Sequence, residues 1–464
     1  MAMAFIKRLL RNSGAESERQ RVPQPMIKRR IASGRGAMEQ PNVTDDGEAK
    51  LTAVFWCCVV VTGVLTGLIG DGLMAVLKVA EHAAFGYQHG SYAQAVAQSS
   101  DGRRVLMLLV SGLVGAGGWY LIRRYLSHEH AEIDDAIWNG DGELGFRRSS
   151  LTSLVSEIVI GLGASVGREA APKLMGGATG STLAHLFKLS PAQKRLLVAC
   201  GGGAGLACVY NVPLGGAIFT AEVLLGSFAL PTVMPALLCS LVATGTAYLT
   251  LSARPTYLDI PTFANSPSLM TWSVVGGLLI GVLAVLYIRL IGWVSNRRPK
   301  GARLLWVMPL SFVVVGVIGI WYPQIFGNGK DMAHDAFLGL GSLGLLFALW
   351  MLKPLVTALT LGSGAAGGVF TPFLATGAVV GALSGSLWLH VWPGTPVGAF
   401  ALIGAAAMIG ASMQAPLAGL VLVMELTHSG FTIVLPLMLA TLIATAVTRS
   451  IDGYSMYSAR LPRK

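Results

Sequence analysis

The chain has 464 residues, of which 53% are hydrophobic and only 12% charged, with 58 glycines and a formal net charge of +11. A soluble domain carries roughly 25% charged residues, so this composition excludes an ordinary soluble enzyme or binding module and indicates a polytopic membrane protein. The basic excess lies in tails and loops and not on one domain face, which argues against nucleic acid as a partner.

The segment 1–50 is polar and rich in arginine after the opening MAMAFIKRLLRN. It has no apolar stretch of about 7–15 residues followed by small residues, so no secretory signal is read there. With Lys7, Arg8, Arg11, Arg19, Arg21, Lys28, Arg29 and Arg30, it reads as a disordered tail held on the cytoplasmic side by the positive-inside rule. Apolar runs follow at 51–70, 103–121, 231–252, 270–288, 305–322 and 431–448. Each is long enough, or nearly so, to cross a hydrocarbon core about 30 Å thick. The five cysteines all lie in apolar runs without a C-x-x-C pair and read as small buried residues.

Between the second and third runs lies SHEHAEIDD, with His128 and His130. A solvated loop is the first reading. A pH-sensitive gate on the inner pathway using His128 or His130 is the second, since histidine titrates near neutrality, and a metal site is the last. Neither a metal nor another cofactor is expected.

Residues 163–177, GASVGREAAPKLMGG, set Arg168 and Glu169 among glycines and alanines. A charge in an apolar segment is costly unless it is paired, wetted or used. Arg168 reads in three ways: a partner for that carboxylate, a contributor of positive field, or a side chain snorkelling to water. The second half of the chain repeats the first. GGGAGLACVYNVPLGGAIFTAEV (201–223) lies over GAAAMIGASMQAPLAGLVLVMEL (404–426), matching Gly201, Ala204, Pro213, Leu214, Gly216 and Glu222 with Gly404, Ala407, Pro416, Leu417, Gly419 and Glu425. GLGASVGREAAP (161–172) lies over GSGAAGGVFTPF (362–373), and Gly176 and Gly180 match Gly377 and Gly381. Such Gly/Pro-interrupted repeats mark transporters with a site at the repeat interface. Pro172, Pro213, Pro372 and Pro416 each open an apolar run and predict helix N-termini inside the membrane. Their free N–H groups and positive dipole ends suit an anion.

Seven acidic residues fall between 151 and 450. Asp259, Asp331 and Asp335 sit in polar loops, leaving Glu157, Glu169, Glu222 and Glu425 in or beside apolar segments. Glu157 is placed near a helix start. Glu222 and Glu425 share a repeat position, which favours a structural task, such as accepting hydrogen bonds, over transport chemistry. Glu169 differs, because its counterpart is Phe370; a carboxylate there can occupy an anion's own position.

G-R-E before a helix, then Y-N-x-P-L-x-G, then G-G-V-F-T-P and a late tyrosine together resemble the CLC chloride channels and chloride/proton antiporters, most closely their bacterial ClcB-type branch. The resemblance covers about residues 50–460. It implies an all-α polytopic fold of two inverted repeats with broken and half-length helices, spanning 51–460, with repeats at about 51–252 and 269–450. It further implies a homodimer in the bacterial inner membrane, with a short cytoplasmic segment at 451–464. Only 14 residues remain there, so no appended CBS domain is expected. Glu169 falls on the family's gating glutamate. Gly167, Arg168, Gly368, Val369 and Phe370 fall on its anion-binding loops, and Tyr457 on its anion-coordinating tyrosine.

Three departures stand out. GREAAP has Ala170 and Ala171 where the family has Gly-Pro. Val223 stands where the antiporters carry a proton-delivering glutamate, with Glu222 next door as a candidate substitute. The serine motif of the inner anion site is replaced by the Ser127 to Ala131 segment. The expectation is therefore glutamate-gated passive chloride conduction, modulated by voltage or pH, with chloride/proton antiport as the alternative. An intramembrane enzyme is a remote rival, since no H-E-x-x-H helix, nucleophile elbow or P-loop is present.

Overall fold

The computed structural model describes residues 49–126 and 132–461. Among them it forms seventeen α-helices and no β-strand. The first half runs α1 (Ala53–Phe85), α2 (Tyr92–Gln98), α3 (Asp101–Tyr125), α4 (Ile133–Trp138) and α5 (Phe146–Gly161). It continues as α6 (Ala170–Leu186), α7 (Pro191–Tyr210), α8 (Pro213–Phe219), a widened turn at Thr220–Leu225, and α9 (Leu230–Ala247). The second half opens with α10 (Pro267–Ser295), α11 (Leu304–Trp321), α12 (Lys330–Phe337) and α13 (Leu343–Gly362). It closes with α14 (Phe370–Trp388), α15 (Val397–Met413), α16 (Pro416–Thr427) and α17 (Val434–Ile451). Eight helical segments are long and apolar enough to cross a membrane, among them α1, α3, α9, α10, α13 and α14. Others are apolar but short; α16, with 12 residues, reaches only about 18 Å at about 1.5 Å per residue. The chain is a multi-pass membrane protein built partly from half-length helices.

Proline sits at the helix starts that the sequence predicts. Pro213 and Pro416 are the first residues of α8 and α16, and Pro172 and Pro372 fall in the first turns of α6 and α14. First-turn N–H groups have no intrahelical acceptor, so proline removes no bond there. Glycine then sets how closely the helices approach. Gly176 on α6 lies against the Gly201 carbonyl on α7, and Gly377 on α14 against the Gly404 carbonyl on α15; a Cβ at any of the four would overlap the facing backbone. Asn211 (φ 57°) ends α7 and Gln414 (φ 59°) ends α15, both left-handed. These pairs occupy matching places in the two halves.

The same symmetry explains two of the acidic residues. Glu222 accepts from the N–H groups of Ala418 (2.6 Å) and Leu417 (3.3 Å) at the start of α16. Glu425 accepts from those of Gly215 (2.5 Å) and Leu214 (3.1 Å) at the start of α8. Each carboxylate caps the helix of the other repeat, satisfying orphan donors and meeting a positive dipole end. Glu222→Ala and Glu425→Ala are each expected to cost about 1–2 kcal/mol, read as a lower Tm of the detergent-solubilised protein.

Three placements differ from expectation or lie beyond it. Glu157 lies in the later part of α5, not near its start, because the helix begins upstream in the polar stretch FRRSSLTS. Its oxygens are buried without a hydrogen-bond partner among the described residues. Cys57 is exposed on α1, whereas the other four cysteines are buried. His128 and His130 lie outside the described residues.

Candidate functional site

Two loops in matching places meet at the centre of the chain. The first joins α5 to α6 and the second joins α13 to α14. Gly163 (φ 114°) and Gly364 (φ 102°) turn the chain out of the preceding helices, a conformation that strongly favours glycine. Further along, the Gly167 N–H donates to the Gly368 carbonyl (2.7 Å), and the Gly368 N–H donates back to the Gly167 carbonyl (2.8 Å). The loops are thus clamped at equivalent residues, and each runs directly into a helix N-terminus.

Glu169 stands at the start of α6 and is 4% exposed. Its side chain reaches across to α14, where Oε1 accepts from the Phe370 N–H at 2.8 Å. Oε2 accepts from the Thr371 hydroxyl (3.2 Å) and the Tyr210 hydroxyl (3.2 Å), which touch each other at 2.7 Å. The carboxylate lies against the Cα atoms of Gly167 and Gly368, where a Cβ on either residue would collide with it. A carboxyl group therefore occupies a seat built from a helical N–H, two hydroxyls and the positive end of α14, donors that suit a negative charge.

The expected site residues divide between several tasks. Phe370 supplies the N–H, and Val369 precedes it as the buried cap of α14. Gly167 and Gly368 use their own N–H groups on each other. The Arg168 guanidinium lies over the Tyr210 ring, 5.1 Å from its centroid, and forms no ion pair with Glu169 among the described residues. It lines a cavity of about 360 Å³ with Glu81, Arg254, Lys330 and Asp331, so the field and solvent roles describe it better than a direct partnership. Tyr457 is buried elsewhere in the site, packed edge-on against Phe219 at 5.9 Å and facing Lys173.

Tyr210, Thr371 and Lys353 belong to the site as well. The first two stand in the Y-N-x-P and G-V-F-T-P motifs, but their hydroxyls gain meaning only once the loops meet. Lys353 on α13 is fully buried and donates to the Ser165 hydroxyl (2.9 Å) and to the carbonyls of Gly327 (2.8 Å) and Ile325 (3.1 Å). It ties the first loop, at Ser165, to the segment at Ile325 and Gly327. Glu132, outside the spans, takes Arg460 at 3.5 Å and Arg298 at 3.6 Å. Burial pushes its carboxyl up, but the arginines outweigh burial and hold it below the usual carboxylate range.

Residues 112–449 match the family described as voltage gated chloride channel. The ClC-type chloride channel ClcB of Citrobacter koseri is 28% identical over 410 residues, covering 86% of this chain and 96% of that one. The H+/Cl− exchange transporter ClcA of Yersinia pestis is 26% identical over 460 residues, covering 93% and 92%. The crystal structure of a slow cyanobacterial Cl−/H+ antiporter shares the fold, with TM-score 0.77 and 23% identity over 88% of this chain and 97% of that one. The match takes in both loops that form the Glu169 seat, and with them the chain belongs to the voltage-gated chloride channel family, on its ClcB-like side, a family of membrane channels and transporters and not of enzymes.

Proposed function

We propose that the chain carries chloride across the membrane in exchange for protons, with Glu169 as the exchanging group. The observation that carries this reading is the seat of the Glu169 carboxylate. A group of charge −1 accepts the Phe370 N–H at a helix start, where a chloride would find the same donor and dipole. The second oxygen adds a role for the proton. Oε2, the Tyr210 hydroxyl and Thr371 Oγ1 touch pairwise at 3.2, 3.2 and 2.7 Å. Both hydroxyls donate to the carboxylate, and a proton on Oε2 turns that acceptor into a donor and loosens the carboxyl from them. The seat thus holds the charged carboxylate in an anion's place, and protonation weakens that hold and frees the seat.

The relatives weigh toward exchange, since an H+/Cl− exchange transporter is matched over 93% of this chain. Glutamate-gated passive conduction, modulated by voltage or pH, is the second reading. Val223 favours it, and so do the hydrogen bonds that hold Glu222 on α16. Two copies in the bacterial inner membrane, with both termini cytoplasmic, complete the proposal. Leu214 and Leu417, exposed at matching repeat positions, offer apolar surface for the second copy.

Chloride efflux from proteoliposomes holding the purified chain tests the transport step. Efflux well above that of protein-free vesicles is expected, and equal rates would refute it.

A further inference from the structure

Lys173 is a buried cation that the Glu169 seat leaves unused. It lies in the first turns of α6, the helix that Glu169 begins, and is 8% exposed. Its ammonium donates to both oxygens of Asp134 on α4, at 2.9 and 3.2 Å. On another side stands the Tyr457 ring, its centroid 4.3 Å from Nζ, with the Phe219 ring at 5.8 Å. Lys173 and Asp134 also line a cavity of about 70 Å³ that reaches Ala170 and Gly367, the residues beside the Glu169 seat. That volume holds about two waters at about 30 Å³ each, or one small anion with little water.

A buried ion pair is an expensive way to fill space in a membrane protein, where an apolar side chain of similar size packs at lower cost. The pair leaves the ammonium with capacity to spare. An ammonium has three donors, and among the described residues its acceptors are the two oxygens of Asp134. Its charge faces the Tyr457 ring and the cavity that reaches the Glu169 seat. Of the other charged residues on the cavity wall, Glu132 is already held by Arg460 at 3.5 Å and by Arg298 at 3.6 Å. Asp134 is the carboxylate in direct contact with Lys173.

We propose that Lys173 is an anion-binding residue of the cavity beside the Glu169 seat, taking a halide or another small monovalent anion, and that Asp134 is the positioning residue that aims it and moderates its charge. The inference rests on the chloride-transport reading above. It has a consequence that a purely structural ion pair lacks, because the two partners act with opposite sign. Lys173→Met removes the attracting charge and raises the half-saturating chloride concentration roughly tenfold or more. Asp134→Asn leaves the ammonium unopposed and lowers that concentration by a similar factor. Lys173→Arg keeps the charge and stays close to the parent.

The experiment is chloride flux as a function of chloride concentration in proteoliposomes, paired with calorimetric titration of chloride into the detergent-purified protein. Size-exclusion profiles report whether each variant folds. Opposite shifts for Lys173→Met and Asp134→Asn are expected. A parent protein that carries no chloride overturns the transport reading and this inference together. A parent that carries chloride, with both variants shifted the same way or neither shifted, overturns this inference alone. If Lys173→Met does not fold, Asp134→Asn decides: unchanged or weaker chloride affinity in it contradicts the proposal.

Discussion

Glu169→Gln is expected to bring proton movement down to the level of protein-free vesicles while chloride still passes. The substitution keeps the shape of the side chain and its acceptor for the Phe370 N–H, now 2.8 Å from Oε1. It removes the charge and the exchangeable proton. The amide also presents N–H donors where Oε2 accepts from Tyr210 and Thr371, so the hold on the seat weakens. Chloride flux in the parent should rise as pH falls, because a neutral carboxyl competes less well than a carboxylate for a helix N-terminus. In Glu169→Gln that pH dependence should flatten. Parallel recordings with chloride and pH electrodes check both points, and persistent proton movement would remove Glu169 from the exchanging role.

The second large effect is expected at the glycines that clamp the loops. A Cβ on Gly368 would land on the Glu169 carboxylate, and one on Gly167 would meet the same group. Forced overpacking costs about 1–3 kcal/mol, so Gly368→Ala should lower chloride flux by roughly tenfold or more through displacement of the carboxylate and the seat together. Gly176→Ala, at the contact between α6 and α7, serves as the comparison. It should lower the Tm without moving the pH dependence of flux. A Gly368→Ala protein with the parent's flux and pH profile would show that the seat does not need this close approach.

Much of the fold could be read from the sequence because its punctuation is local. Pro213 and Pro416 open helices for reasons contained within one helical turn. The repeat alignment marked Glu169 and Phe370 as counterparts, but the hydrogen bond between them appears only when the two loops meet. What remained hidden depends on contacts between distant parts of the chain. The Tyr210 hydroxyl reaches Glu169 across 41 residues, and Lys173 finds Asp134 across 39; no spacing rule within one helix foretells either. The mutual use of the Gly167 and Gly368 N–H groups likewise needs both loops in place, and it removes two amides that motif matching alone assigns to the anion. Glu157 was misplaced because α5 starts in a polar stretch that gives no apolar signal.

Proton movement driven by a chloride gradient tests the central claim most directly. Proteoliposomes holding the parent protein are given a chloride gradient, and internal pH is followed with the electrical potential clamped by a potassium ionophore. The account predicts that protons are driven against their own gradient in fixed proportion to chloride, and that Glu169→Gln abolishes this. Chloride movement through the parent protein without any accompanying protons would contradict it.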